Sequence, residues 1–169
     1  GYGTDDVNLD NNIANLKSFT DYANSKGVGT GLWTQSSLTP DSNQPVHLQR
    51  DFEKEVYNGG IRTLKTDVAW VGSGYDFGLD GINKAYNIIS KAETKNRPTI
   101  VTLDGWAGTQ RYGGIWTGDQ TGGNWEYIRF QIPTYIGQSL SGNPNVSSDV
   151  DGIFGGSSTI QARAIQWKT

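Results

Sequence analysis

The stretch Gly59-Gly-Ile-Arg-Thr-Leu-Lys-Thr-Asp-Val-Ala-Trp70 decides how this 169-residue chain is expected to fold. Its two glycines end a helical segment, and the run from Ile61 onward predicts a β-strand. Asp67 lies late in that run, so a carboxylate is expected near a strand end. An ionised carboxylate buried there is costly unless it is paired or hydrogen-bonded. Asp67 is therefore either an ion-pair partner of Lys65 or Arg111, or a functional residue.

The segments around this strand alternate between helix and strand patterns. Helices are predicted where apolar residues recur at helical spacing, and strands where short apolar runs lie between Gly, Pro or Asn residues. The predicted helices are 11–26, 47–57, 81–95, 125–139 and 159–167, and the predicted strands are 28–34, 61–71, 97–106, 114–117 and 150–154. Such alternation predicts βα units and a parallel sheet.

Acidic residues fall at or near the ends of these strands, mostly beside Gly-rich loops. They are Asp67, Asp104, Asp119, Asp149 and Asp151. In a (β/α)8 barrel the catalytic groups come from the C-terminal ends of several strands, and a complete barrel uses about 250 residues. We therefore predict one α/β domain over residues 1–169, which forms an incomplete (β/α)8 TIM barrel.

The composition argues against several classes of partner and catalytic site. The net charge is −3 with no basic cluster, which argues against nucleic acid and anionic membranes as partners. No apolar run approaches the roughly 18 residues of a membrane-spanning helix. The chain has no cysteine and one histidine, which argues against a Ser-His-Asp triad and a zinc site. We expect no metal and no cofactor. The chain also lacks methionine, which indicates a processed product, a fragment or an excised domain.

Several other polar residues are expected to serve local structure. His47 stands at a predicted helix start and is expected to be a solvated cap residue. Asp51, Glu53 and Glu55 follow it and are expected to form an ordinary solvated helix face. The Gly-rich segment 71–78 has neither dinucleotide-binding nor P-loop spacing, and it is predicted to be a loop that lines the substrate site.

A second acid lies in Gly114-Ile-Trp-Thr-Gly-Asp-Gln-Thr-Gly-Gly-Asn-Trp125. Here Asp119 stands between two tryptophans and among four glycines, just after a short predicted strand. Tryptophan rings offer flat apolar faces of the kind against which sugars pack. Two strand-end carboxylates with indoles beside them are the minimum apparatus for cleaving a glycosidic bond.

At these residues the chain resembles glycoside hydrolase family 31, which comprises retaining α-glycosidases and α-transglycosylases. The strongest similarity is Gly105-Trp-Ala-Gly-Thr-Gln-Arg-Tyr-Gly-Gly-Ile-Trp-Thr-Gly-Asp-Gln120, which resembles the family segment from barrel strand five to strand six. Ser148-Asp-Val-Asp-Gly-Ile-Phe-Gly-Gly156 resembles the strand-seven motif. The resemblance implies a barrel that runs from after strand one to after strand seven. It also implies a longer parent chain with further domains and a carbohydrate substrate, and we expect a secreted or cell-surface location.

The resemblance also implies roles for individual residues. Asp119 corresponds to the family's acid/base, Asp67 to its strand-four nucleophile, and Asp149 to an acid that holds sugar hydroxyls. The predicted substrate-binding residues are Trp33, Trp70, Asp104, Trp106, Arg111, Trp116 and Asp149.

Two departures from the family pattern concern the sugar. The nucleophile motif is written here as Lys65-Thr-Asp-Val-Ala-Trp70, and Leu103 stands where glucose-specific members have an arginine that binds sugar hydroxyls. This combination is most similar to the bacterial branch that contains α-N-acetylgalactosaminidases. That exo-acting activity on non-reducing-end sugars is predicted first, and an α-glucosidase or α-glucosyltransferase second. A non-catalytic carbohydrate-binding module and an inactive fragment stay open as alternatives.

Overall fold

The computed structural model describes residues 2–67, 70, 78–92, 97–119, 124–150 and 156–169. Its centre is a parallel five-stranded sheet in which each strand pairs with the next along the chain, in the order β1-β2-β3-β4-β5. The strands are β1 (Gly31–Thr34), β2 (Thr63–Thr66), β3 (Thr99–Thr102), β4 (Gly114–Trp116) and β5 (Val146–Ser147). The helices are α1 (Leu9–Ser25), α2 (Phe52–Tyr57), α3 (Gly78–Lys91), α4 (Trp125–Leu140) and α5 (Ser158–Lys168). The predicted α/β fold with parallel strands, part of a (β/α) barrel, is confirmed.

Polar side chains fix where several helices begin. The side chain of Asn8 accepts a hydrogen bond from the backbone N–H of Asp10 at the start of α1. Asn124 caps α4 in the same way, and Ser157 caps α5. Each cap satisfies one of the backbone donors that a helix leaves without an intrahelical partner. The helix boundaries therefore follow from local sequence.

Two predicted elements differ from the structure. The predicted helix 47–57 is split into a 3₁₀ turn, Val46–Leu48, and α2, because Asp51 accepts from the Lys54 N–H and starts a new helix. The fifth strand of the sheet is β5, where the carbonyls of Asn145 and Ser147 accept hydrogen bonds from β4 and the residue after it. Of the strand predicted at 150–154 only Val150 is described, and it lies in no strand. Residues 151–155 lie outside the described part, as do residues 71–77 of the predicted Gly-rich loop.

The resemblance puts Asp67 after the fourth barrel strand, and in the structure Asp67 directly follows β2.

The main core lies between the sheet and helices α1–α3. Leu64 of β2 and Ile100 of β3 face this layer and are almost fully buried. Their helical partners and neighbours in the same cluster are Leu16, Leu38, Phe52, Val56, Ile61, Trp70, Ile82, Ala85, Ile89 and Ala92. Burial of this apolar surface is the main term that stabilises the layer.

The opposite face of the sheet carries the alternate residues. Trp33 and Lys65 are register partners in β1 and β2, and Val101 is the partner of Lys65 in β3. Because side chains alternate between the two faces of a strand, these three point away from the helix layer and toward the barrel interior. Two positions further along the strands, Asp67 and Leu103 are therefore directed to the same side.

Two further features are relevant to function. The connection between β3 and β4 contains only a 3₁₀ turn, Thr109–Arg111, where a barrel usually has a helix. In the described residues, no helix combines the length and the hydrophobicity needed to cross a membrane.

Candidate active site

The two candidate catalytic acids and the candidate sugar ligand Asp149 follow the C-terminal ends of strands. Asp67 comes directly after β2, Asp119 three residues after β4, and Asp149 two residues after β5. Because the strands are parallel, these ends share one edge of the sheet. That edge is where (β/α)8 enzymes carry their chemistry.

Asp67 is held by the neighbouring strand. Its backbone N–H donates to the Thr34 carbonyl at 2.9 Å, which extends the β1–β2 ladder by one residue. The indole Nε1–H of Trp33 donates to Asp67 Oδ2 at 2.5 Å. The second carboxylate oxygen, Oδ1, is not part of that bond. Asp67 is partly exposed, and it forms neither of the ion pairs that the sequence allowed.

Asp119 lies on a turn that glycine makes possible. Gly118 has φ = +86°, a left-handed conformation that side chains with a Cβ rarely adopt. A Cβ at Gly118 would lie 3.1 Å from Cδ2 of Leu103. The Asp119 side chain is exposed. Leu103, which stands where glucose-specific family members have an arginine, thus lies beside the residue that precedes Asp119.

Trp116 and Asp149 form a second Trp–Asp pair. Nε1 of Trp116 donates to Asp149 Oδ1 at 3.0 Å. The other oxygen, Oδ2, is buried and has no hydrogen-bond partner in the described part of the chain. The ammonium group of Lys168, on α5, donates to the Asp149 backbone carbonyl. Asp149 therefore has one buried carboxylate oxygen that no described residue pairs.

Lys65 belongs to the site although the sequence analysis did not single it out as a site residue. Its Nζ lies 3.6 Å from the ring centroid of Trp116, a cation–π contact that joins β2 to β4. A signal for it was present, because Lys65 stands two residues before Asp67 and therefore faces the same side of the sheet.

The contact between Lys65 and Trp116 bears on the distance between the two acids. Along a sheet, β2 and β4 are about 10 Å apart, because β3 lies between them. The inward side chains of Lys65 and Trp116 nevertheless meet across this distance. Asp67 follows Lys65 by two positions and Asp119 follows Trp116 by three, so both acids lie at the same edge of the sheet. Their carboxyl separation of about 5–5.5 Å stays a prediction.

Three predicted substrate-binding residues are not brought to this inward face. Trp70 is fully buried in the core, where its Nε1 donates to the Ser36 carbonyl at 2.8 Å. Arg111 precedes β4 and lies near its N-terminal end, where its guanidinium stacks on Tyr112. Asp104 faces the helix layer.

Asp104 has the strand parity opposite to that of Asp67. It continues the buried series Ile100 and Thr102 of β3, and it accepts a hydrogen bond from the Thr102 hydroxyl at 3.0 Å. Burial raises the pKa of its carboxyl group, and hydrogen bonds from Thr102 and the Trp70 backbone oppose that shift. A Cβ on Gly78 would lie only 2.3 Å from Asp104 Oδ1, so Asp104 packs against the start of α3.

Trp106 is half exposed and lines a cleft at the strand ends. The cleft has a volume of about 520 Å³ and lies between the ends of β3 and β4 and helix α4. Leu103, Trp116 and Phe130 also line it. Trp33 and Trp106 thus expose parts of their rings, whereas Trp116 is 5% exposed.

No metal site accompanies these residues within the described ranges, where no cluster of three or more His, Asp or Glu side chains could hold an ion.

Comparison with known proteins identifies the class. The family profile described as the glycosyl hydrolases family 31 TIM-barrel domain matches residues 19–167. The chain therefore belongs to glycosyl hydrolase family 31, as the resemblance predicted, and its fold is that family's TIM barrel.

Individual relatives share parts of this barrel. A probable glucan 1,3-alpha-glucosidase of Arabidopsis thaliana is 33% identical over 140 residues, which is 79% of this chain and 14% of the relative. Neutral alpha-glucosidase C of Homo sapiens is 27% identical over 156 residues, covering 85% of this chain and 17% of the relative. The alpha subunit of glucosidase 2 of Schizosaccharomyces pombe is 39% identical over 124 residues, which is 68% of this chain and 13% of the relative.

Two points follow from these relatives. The chain spans between 13% and 17% of their length. All three are eukaryotic and carry glucosidase names, so they do not support the bacterial α-N-acetylgalactosaminidase branch that was predicted first. The glucosidase alternative fits them better.

Proposed function

We propose that this chain carries the catalytic centre of a retaining exo-α-glycosidase, with Asp67 as nucleophile and Asp119 as acid/base. The observation that carries the proposal is the hydrogen bond from Trp33 Nε1 to Asp67 Oδ2 at the end of β2. It orients a partly exposed carboxylate on the inward side of a family 31 barrel. A carboxylate that served only the fold would be expected to pair with a cation or a helix end.

The reaction follows from this orientation. Oδ1 of Asp67 attacks the anomeric carbon while the bond from that carbon to the leaving oxygen breaks and Asp119 gives its proton to that oxygen. In the second step Asp119 takes a proton from water, whose oxygen attacks the anomeric carbon and releases Asp67. Two inversions at the same carbon retain the α-configuration. A sugar hydroxyl in place of water would give transfer.

Sugar binding is proposed for the residues around these acids. Asp149 is proposed to accept from a sugar hydroxyl, because the family resemblance assigns it that role and its Oδ2 has no partner among the described residues. Trp33 is 49% exposed and offers an apolar ring face beside Asp67. Trp116, which fixes Asp149 and carries Lys65 on its ring, acts mainly by holding both in place.

The sugar proposed first is an α-linked glucose, because the relatives described above carry glucosidase names. A second candidate is α-linked N-acetylgalactosamine, which the position of Leu103 favours. This apolar side chain lies against the turn of Gly118, where an arginine would otherwise offer hydrogen bonds to sugar hydroxyls. Further domains in the complete natural chain also form part of the proposal.

The experiment that tests the activity uses the complete natural chain that carries these residues. Nitrophenyl α-glucoside and nitrophenyl α-N-acetylgalactosaminide are offered to the wild type, Asp67→Asn and Asp119→Asn. We expect turnover of one substrate with retained anomeric configuration by NMR, and its loss by at least about a thousandfold in Asp67→Asn. Asp21→Asn, which changes an exposed acid on α1, is the matched control.

Two outcomes would reject the proposal. Full turnover by Asp67→Asn would remove the nucleophile assignment. Sugar binding without cleavage of either substrate by the wild type would favour a non-catalytic carbohydrate-binding module. Formation of a β-glycosyl azide by Asp67→Gly in the presence of azide would support the assignment directly, because azide can take the place of the missing carboxylate.

A further inference from the structure

We infer that Arg50, clamped by the buried carboxylate of Glu55, is a positioning residue that fixes Trp33 and, through Trp33, the nucleophile Asp67. This inference rests on the proposed role of Asp67. It concerns residues far apart in sequence, which converge on the edge of β1 opposite β2.

The foundation is a buried ion pair between neighbouring turns. Glu55 on α2 is 0% exposed and accepts two hydrogen bonds from Arg50, from Nε at 2.6 Å and from Nη2 at 2.8 Å. The hydroxyl of Tyr2 also donates to Glu55. Burial alone would lower the pKa of Arg50, but the hydrogen bonds and charge of Glu55 raise it. Such a bidentate pair fixes the guanidinium plane.

The third guanidinium nitrogen of Arg50 reaches the end of β1. Its Nη1 donates to the backbone carbonyl of Trp33 at 2.6 Å. The carbonyls of Thr30 and Thr34 accept from the β2 side. Carbonyls alternate in direction along a strand, so that of Trp33 points to the opposite edge of β1. Arg50 thus satisfies an acceptor that no strand pairs among the described residues.

The contact between Arg50 and the Trp33 carbonyl affects the proposed nucleophile because the Trp33 side chain binds Asp67. The same residue whose carbonyl Arg50 holds donates its indole N–H to Asp67 Oδ2 at 2.5 Å. The chain of contacts runs from Glu55 through Arg50 to the backbone of Trp33, and from its indole to Asp67. A lysine could pair with Glu55 at this position, but it lacks the planar fork that reaches Glu55 and the Trp33 carbonyl together.

A double-mutant cycle in the complete natural chain tests the inference. Arg50→Lys, Trp33→Phe and the double variant are compared with the wild type, and an inactivating fluorosugar counts the competent sites, so loss of folded protein does not enter kcat. We expect Arg50→Lys to lower kcat by about tenfold to a hundredfold with KM nearly unchanged. In the Trp33→Phe background it should cause no further loss, because the link to Asp67 is already removed.

The control and a second measurement separate positioning from general structure. Arg129→Lys changes an exposed arginine that pairs with Glu126 on α4, and it should leave kcat unchanged. In protein labelled with fluorotryptophan, the Trp33 resonance is identified by its absence in Trp33→Phe. It should shift in Arg50→Lys and stay in place in Arg129→Lys.

The outcomes distinguish this inference from the proposed function. If Asp67→Asn is inactive but Arg50→Lys lowers kcat equally in both backgrounds, or not at all, the positioning role is overturned alone. An unmoved Trp33 resonance in Arg50→Lys would overturn it as well. If Asp67→Asn turns over normally, the proposed function itself fails.

Discussion

The ammonium group of Lys65 lies 3.6 Å from the ring centroid of Trp116, so a residue of β2 touches a residue of β4 across the inward face of the sheet. The strand between them, β3, contributes Val101 as the register partner of Lys65. The ring that receives Lys65 also donates its N–H to Asp149. One lysine therefore links the strand that ends beside Asp67, the proposed nucleophile, to the pair that is proposed to hold the sugar.

Replacing Lys65 by methionine should loosen this link. Methionine keeps most of the chain length but loses the charge, and a cation–π contact contributes roughly 0.5–2 kcal/mol. We expect a lower free energy of unfolding in chemical denaturation and a change in tryptophan fluorescence. The matched change Lys17→Met affects an exposed pair with Asp21 on α1 and should alter neither. Equal effects of both substitutions would argue against a specific role for the contact.

Gly81 should not tolerate a larger residue. A Cβ at this position of α3 would lie 2.2 Å from Cγ and Cδ2 of Trp70, whose ring is fully buried and held by Ser36. Because the ring cannot withdraw, Gly81→Ala should destabilise the chain by about 1–3 kcal/mol in thermal or chemical unfolding.

The control for that substitution is Gly29→Ala. A Cβ on Gly29 meets nothing within 4 Å, and its backbone is not left-handed. Its stability should stay close to that of the wild type. Because Trp70 is a core residue in this structure, Gly81→Ala should also reduce the amount of folded enzyme more than kcat per competent site. A large loss of kcat alone would instead place Trp70 at the substrate.

Asp104 should make stability depend on pH in a specific direction. Burial raises the pKa of Asp104 above its usual 3.8, so the folded state holds this proton more tightly than the unfolded state. The stability that the protonated Asp104 carboxyl contributes is fully present below pH 3.8 and is lost as pH rises through the folded pKa. Asp104→Asn, whose amide oxygen can still accept from Thr102, should therefore be more stable than the wild type at pH 7. Denaturation at pH 7 and pH 3 should show this advantage disappearing in acid, and a difference independent of pH would contradict it.

The sequence predicted the architecture well because the relevant signals are local. Helical spacing, caps and short apolar runs reflect contacts within one element, so α1, α3 and α4 lie close to their predicted ranges. The acids at strand ends were also predicted, since the position of Asp67 after β2 and of Asp119 after β4 follows from strand boundaries alone. Strand β5 was not predicted, because two residues that pair with β4 leave no pattern in their own sequence, and the predicted strand 150–154 lies mostly outside the described residues.

The direction of side chains was harder to predict. Asp67 and Asp104 both end strands, but in the β2–β3 register Lys65 pairs with Val101, so Asp67 is level with Leu103 and Asp104 is one residue out of phase. If the register had been known, strand alternation would have predicted that Asp67 and Asp104 face opposite sides of the sheet. The burial of Trp70 could not be found in this way, because it depends on Gly81 and Ser36, which are remote in sequence.

Glu53 and Glu55 give the sharpest comparison between sequence and structure. Both stand in the first turn of α2, and the sequence analysis assigned both to one solvated face. That prediction is wrong for Glu55, which is 0% exposed because Arg50 and Tyr2 enclose its carboxylate, whereas Glu53 is exposed.

The two residues therefore offer a matched pair of substitutions. Glu55→Gln removes the charge that compensates buried Arg50, and breaking a buried ion pair from one side costs about 3–5 kcal/mol. Glu53→Gln makes the same chemical change two residues earlier in solvent, where surface substitutions alter stability by about 0.5 kcal/mol or less. Chemical denaturation of both variants should show this difference. Similar stability of the two would mean that the Arg50–Glu55 pair is open to solvent, which would also weaken the inferred hold on Trp33.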